Sequence, residues 1–188
     1  MLRPKTSNRF SNQRRLALMS ALSAAAVPFS NAIAQTSNYP ELRLRFYNLH
    51  TTEHLDTVFW ADGKYNLSAL AEINNLMRDH RTGEIKKMDQ KLMSILYLIN
   101  QRINNRNPIS VISGYRSEET NRKLALINSG VAKNSFHIRG QAIDIRIPGV
   151  DTQLIKEAGL RLRVGGVGYY AKSNFAHIDT GPHRHWEG

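Results

Sequence analysis

The chain has 188 residues, is 41% hydrophobic and holds no cysteine. It is long enough to bury one real core, and disulfides, cysteine–zinc sites, thiol nucleophiles and a lipidated-cysteine anchor are all excluded. Its 26 basic residues against 15 acidic ones give a formal charge of +11, which draws polyanions from a distance; no basic–aromatic motif points to nucleic acid.

Residues 1–34 read as an export signal. Arg3, Lys5, Arg9, Arg14 and Arg15 form a basic start with no acidic residue, Leu16 to Phe29 is apolar and alanine-rich, and Ala32-Ile33-Ala34 is a small-x-small cleavage site. The adjacent Arg14-Arg15 points to the twin-arginine route, with Leu18 fitting its pattern and Gln13 and Ala17 departing from it. Cleavage near Ala34 leaves no membrane anchor, and a still basic mature chain whose expected polyanion outside the cytoplasm is cell wall or anionic lipid. Residues 35–41 then form a linker, and a single domain is expected over 42–188.

Leu42 to Tyr47 alternates with period two and predicts a strand, with Thr57 to Trp60 as its partner and Ala61 to Lys64 as the turn after it. Asn66 is placed to cap a helix carrying Leu70, Ile73, Leu76 and Met77 on one face. Asp89 is placed to cap a second, with Leu92, Ile95, Leu96, Ile99 and Ile103 at helical spacing. A strand at 109–112 follows, then a helix capped by Ser117 that runs to about Ser129 and stops at Gly130. Ala142 to Ile147 is the next strand and Asp151 opens another helix. A glycine-rich stretch, Gly165 to Tyr170, leads to the last strand, Phe175 to Asp179. This order predicts an α+β fold in which a small antiparallel sheet carries the site and helices flank it.

The residues that carry chemistry fall late in the chain. Along the strand at 142–147, Ala142, Asp144 and Arg146 share one face while Ile143, Ile145 and Ile147 face the core. His137 lies seven residues before Asp144, beyond Gly140, where the chain can bend back. His177 and Asp179 share a face of the last strand. If the two strands are neighbours, His137, Asp144 and His177 make a three-ligand shell with an open position, the layout of a catalytic rather than a structural zinc site. Arg116, at a strand-to-helix junction, is the candidate for binding a carboxylate or a developing oxyanion, and Ser117 beside it joins it as a substrate contact. The general base is left between Asp179, which could instead orient an imidazole, and His185 in the C-terminal tail. Gly165, Gly166 and Gly168 fit neither a dinucleotide fingerprint nor a Walker loop, and instead let backbone pass close to the site. Tyr169 and Tyr170 are candidates for the cleft wall, Tyr169 being taken as the substrate contact. His50 and His54, four apart, sit among strands and do not read as a helical metal pair.

The motifs Ile112-Ser-Gly-Tyr-Arg-Ser117, Ser135-Phe-His137, Gly140-Gln-Ala142, Asp144 and Asn174-Phe-Ala-His-Ile-Asp-Thr-Gly-Pro182, with Asn48-Leu-His50-Thr51 far upstream, together resemble the M15 group of zinc peptidases. The likeness spans nearly all of 42–188. It implies the lysostaphin-like metallopeptidase fold, Zn2+ held by His137, Asp144 and His177, and a substrate-facing Arg116. It also implies a periplasmic peptidoglycan endopeptidase that cuts peptide cross-links. The rival readings are a D-Ala-D-Ala-type carboxypeptidase or dipeptidase, and a wall-binding module without activity. Related dipeptidases place a glutamate three residues before the last histidine; this chain has Asn174 there, so that role does not carry over.

Overall fold

The computed structural model describes residues 39–128 and 130–188, so the expected export signal, Arg14-Arg15 included, lies outside the described residues. Strand β1 (Leu42–Asn48) pairs antiparallel with β2 (His54–Ala61), and β2 pairs with the two-residue β3 (Lys64–Tyr65). Helix α1 (Leu67–Leu76) and helix α2 (Gln90–Arg102) then carry the chain across to β4 (Ile109–Ser113), which runs parallel to β1. Helix α3 (Glu118–Ile127), β5 (Ala142–Arg146), α4 (Thr152–Leu162), β6 (Gly166–Tyr170), β7 (Phe175–Asp179) and β8 (Arg184–Glu187) complete the order.

The strands form one eight-stranded sheet in the order β3-β2-β1-β4-β5-β7-β6-β8. It is mixed, because β1 with β4 and β6 with β8 are parallel pairs. The fold class is therefore α+β as the sequence suggests, but the sheet is neither small nor purely antiparallel. The enlargement has physical causes. β3 is two residues long, and β8 is Arg-His-Trp-Glu, with a single apolar residue, so neither carries an alternating apolar pattern. The β1–β4 pairing is made by a crossover through two helices, a long-range choice that no local period reveals.

The helix starts follow from their caps. Asn66 accepts from the amides of Ser68 and Ala69, Asp89 from Lys91, Ser117 from Thr120 and Asp151 from Gln153, each satisfying a donor the first turn leaves free. Helix α3 stops at Ile127, where Asn128 turns extended, two residues short of the expected end. The core joins Leu44 and Phe46 of β1, Phe59 of β2, Ile73, Leu92, Leu96 and Ile99 of the first two helices, Ile143 and Ile145 of β5, and Ile178 of β7. Because side chains alternate along a strand, burying Ile143, Ile145, Ala176 and Ile178 turns Asp144, His177 and Asp179 to the opposite face.

Candidate active site

The register of β5 against β7 sets Asp144 directly opposite His177 and Ala142 opposite Asp179. His137 arrives from a short 3-10 turn, Phe136–Arg139, which Ser135 caps and Gly140 ends in the left-handed conformation, φ 67°. A side chain at Gly140 would start 2.6 Å from the carbonyl of Lys87, so only glycine makes this return. The three residues, all buried, offer ligand atoms within 4.8 Å of one another.

Each imidazole has one nitrogen engaged outside the cluster. His137 Nδ1 is 2.7 Å from the carbonyl oxygen of Gly114, and His177 Nε2 is 3.0 Å from Asp179 Oδ2. Both contacts call for an N–H, which leaves a lone pair on His137 Nε2 and on His177 Nδ1. Those two atoms lie 3.2 Å apart and face Asp144 Oδ1 at 3.2 and 2.8 Å. Burial pushes the His137 pKa down and keeps this ring neutral. Burial also disfavours the Asp144 anion, but the charge and hydrogen bonds of imidazoles protonated toward it outweigh burial and hold its pKa well below the carboxylate range, and a bound cation would act in their place. At His177 burial opposes a positive charge, yet hydrogen bonds to Asp144 and Asp179 win and raise its pKa. A carboxylate and two lone pairs converging on one point are a cation-binding arrangement.

Arg116 lies beside this cluster, its Nη2 3.6 Å from Asp144 Oδ2 and its buried Nε without a hydrogen-bond partner among the described residues. Its backbone amide donates to the carbonyl of His137. The guanidinium and the cluster face one cleft of about 570 Å³. A wall of that cleft is aromatic: Tyr170 stacks on Phe175 at 4.3 Å, and Trp186 donates its indole N–H to the Tyr170 hydroxyl at 2.9 Å.

The other residues singled out from sequence fall differently. Asp179 is fully buried; it accepts from the amides of Gly166 and Gly181, from Arg184 and from His177. Burial works against its charge, but these donors prevail and keep its pKa far below the usual value. With its lone pairs so committed, it is held against His177 and does not line the cleft. His185 is exposed on the side of β8 away from Arg184 and Trp186, which line the cleft, so strand alternation turns it away from the cleft. Tyr169 is displaced by the same parity: it packs under Lys156 of α4, and its neighbour Tyr170 faces the cleft. Ser117 is buried, accepts from Thr120 and donates to Asp79 at 2.7 Å; it is a helix cap. Reading parity backward from Gly168, which stands opposite both His177 and Trp186, would have found Tyr170 and Trp186.

Residues 36–186 match the peptidase M15 family described as peptidoglycan L,D-endopeptidase MepK. The chain belongs to this family. It is 43% identical over 177 residues to the peptidoglycan L,D-endopeptidase MepK of Escherichia coli, covering 93% of this chain and 97% of that protein. A relative from Haemophilus influenzae, named a probable peptidoglycan L,D-endopeptidase MepK, is 40% identical over 179 residues, 94% of this chain and 96% of its own. Membership in the MepK family makes the chain an M15 peptidase, a hydrolase whose family is built for peptidoglycan.

Proposed function

We propose that the protein is a zinc-dependent peptidoglycan endopeptidase that hydrolyses L,D peptide bonds in cell-wall cross-links. The observation that carries this reading is the convergence of His137 Nε2, His177 Nδ1 and Asp144 Oδ1, with both outer imidazole nitrogens already engaged. Their separations are 2.8, 3.2 and 3.2 Å. Zinc ligands at about 2.0–2.1 Å in a tetrahedron stand about 3.3 Å apart, so a nitrogen–nitrogen–oxygen donor set of this size fits the ion. Zinc, when bound, supplies Lewis acidity at the scissile carbonyl and lowers the pKa of water.

The chain's own groups do the rest. Asp179 fixes the tautomer and the plane of His177, and the Gly114 carbonyl does so for His137. Arg116 is largely buried beside the cluster, where its charge acts strongly on a substrate carboxylate or a developing oxyanion. The aromatic wall of Tyr170, Phe175 and Trp186 keeps water from one side of the cleft and offers flat apolar surface to the peptide. An L,D bond joins the carbonyl of an L centre to the nitrogen of a D centre, as a 3-3 cross-link does and a 4-3 link does not.

Digestion of defined 3-3 and 4-3 cross-linked muropeptides by zinc-loaded protein, read by mass spectrometry, tests this. Cleavage of the 3-3 bond is expected. Trimming of terminal residues alone, or no cleavage by fully metal-loaded protein, would replace the endopeptidase reading with the carboxypeptidase or the binding module. The relatives' activity also supports residues 1–34 as a periplasmic export signal. Lysine in place of both Arg14 and Arg15 is expected to strand the precursor in the cytoplasm if export follows the twin-arginine route. Undiminished export would reduce the pair to ordinary basic charge.

A further inference from the structure

One wall of the cleft carries groups that the reading above does not use. His50 comes from the β1–β2 loop, and His80 and Arg81 come from the turn after α1; all three line the cleft that holds Arg116. The rings of His50 and His80 stack, with centroids 3.8 Å apart and planes 12° from parallel.

Buried side chains build this wall. Asn48, 4% exposed, accepts from the amides of His50 and Thr51 and donates to the carbonyl of Leu76 at 2.7 Å. One amide side chain thus ties the His50 loop to the end of α1. Asp79, 1% exposed, accepts from the amide of Arg81 on one oxygen and the amide of Ser117 on the other, both at 2.9 Å. A single buried carboxylate therefore holds the turn that presents Arg81 and the helix start that follows Arg116.

The Arg81 guanidinium on this wall has no direct partner among the described residues. Arg81 lies near enough for its charge to depress the pKa of His80, behind burial and the neighbouring His50 as the larger causes. Among the described residues, the Arg81 guanidinium and the nitrogens of both rings make no hydrogen bond or ion pair. Asp79 has spent its oxygens on Arg81, Ser117 and the Ser117 hydroxyl. Asp144 already faces both histidines of the metal cluster. A guanidinium with no ion pair of its own, beside a pair of imidazole donors, is stabilised by an added anion, and the planar fork of arginine suits a carboxylate.

We propose that His50, His80 and Arg81 form a second carboxylate subsite, separate from Arg116, that binds a free carboxylate of the peptide stem beyond the scissile bond. The proposal rests on the peptidase reading and adds to it a source of specificity. A D centre whose nitrogen forms the scissile bond keeps its own carboxylate beside that bond, within reach of a group next to the metal cluster such as Arg116. A stem's terminal carboxylate lies further out and needs a second cation. The subsite therefore separates stems with free carboxylates from stems whose carboxylates are amidated.

The test pairs one substitution with one change in substrate. A 3-3 cross-linked muropeptide with free terminal carboxylates and its terminally amidated form are each turned over by wild type and by Arg81→Gln. With the free form, Arg81→Gln is expected to raise KM about tenfold with little change in kcat, the worth of one charge-assisted contact. Amidation is expected to cost the wild type the same factor and to cost the variant nothing further. His80→Asn, which keeps a donor, is expected to retain more affinity than His80→Ala. Equal losses from Arg81→Gln on both substrates, or none on the free form, would overturn the subsite. Calorimetric titration of the zinc-loaded proteins with single tripeptide stems, free or terminally amidated, which hold no cross-link to cut, reads the binding without turnover. A preference for the free form that depends on Arg81, in a protein that cuts nothing, would keep the subsite and sink the peptidase reading.

Discussion

Arg184 lays its two terminal nitrogens on the two carboxylate oxygens of Asp179, at 3.1 and 2.6 Å. Asp179 in turn accepts from His177 Nε2, so a surface guanidinium is linked through a buried carboxylate to a cluster histidine. Gly166 makes room for the pair: a β-carbon there would meet Arg184 at 2.4 Å and Asp179 at 2.6 Å.

Asp179→Ala is therefore expected to weaken metal binding about 10–100-fold, the usual cost of losing the partner that orients a ligating histidine. Competition with a chromogenic chelator measures it. Arg184→Met should lower affinity less, because the amides of Gly166 and Gly181 still hold the carboxylate. Unaltered zinc affinity in Asp179→Ala would return this residue to the list of possible bases.

The metal cluster and Arg116 should separate cleanly. Alanine at His137, Asp144 or His177 is expected to abolish metal retention and turnover together, and chelation of the wild type should do the same, reversed by added zinc. Arg116→Ala is expected to keep its metal and lose about 10²–10³-fold in kcat/KM, the effect of one removed electrostatic contact at the reacting atoms. Full zinc occupancy in His177→Ala, or unchanged kcat/KM in Arg116→Ala, would contradict these roles.

What the sequence made legible was whatever a local pattern encodes. The four helix caps and the alternation that turns Asp144 away from Ile143 and Ile145 are properties of short windows, and the cluster follows once β5 and β7 are neighbours. Facing was harder wherever a strand lacks apolar contrast. In Gly-Val-Gly-Tyr-Tyr either tyrosine could face in, and the glycines decide it only because Gly168 must clear the Trp186 indole, 2.6 Å from where its β-carbon would be. In Arg-His-Trp-Glu a lone tryptophan makes no alternating apolar pattern, so the sequence does not show which way His185 faces. His50, His80 and Arg81 meet only through Asn48 and Asp79, contacts that no spacing announces.

The glycine reading has its own test. Gly165 sits at φ +71°, and a β-carbon there would come within 1.7 Å of the Asp179 carbonyl oxygen. Gly149 has a similar φ, +76°, with nothing within 4 Å. Gly149→Ala should thus cost only the left-handed conformation, about 1–2 kcal/mol. Gly165→Ala adds a backbone clash beneath the metal cluster and should cost at least about 3 kcal/mol. Denaturant unfolding of the two variants measures the gap, and equal losses would mean that the β6–β7 backbone yields.

Asp79 gives a pH-dependent prediction. Burial alone would raise its pKa, but hydrogen bonds from Thr120, Ser117 and the Arg81 amide outweigh it and hold the folded value below the ordinary 3.8. Such a group adds stability that is fully present above the unfolded pKa and is lost as pH falls through the folded one. Asp79→Asn keeps one acceptor oxygen but loses the charge, so it should be less stable than wild type by about 2–3 kcal/mol near neutrality. Below about pH 4 the wild type should lose this advantage while the variant, with nothing to protonate there, loses less, so the two stabilities approach each other. Urea unfolding between pH 3 and pH 7 reads the difference. A gap that stays constant across that range would show that Asp79 stabilises the Ser117 and Arg81 junction by shape alone, without its charge.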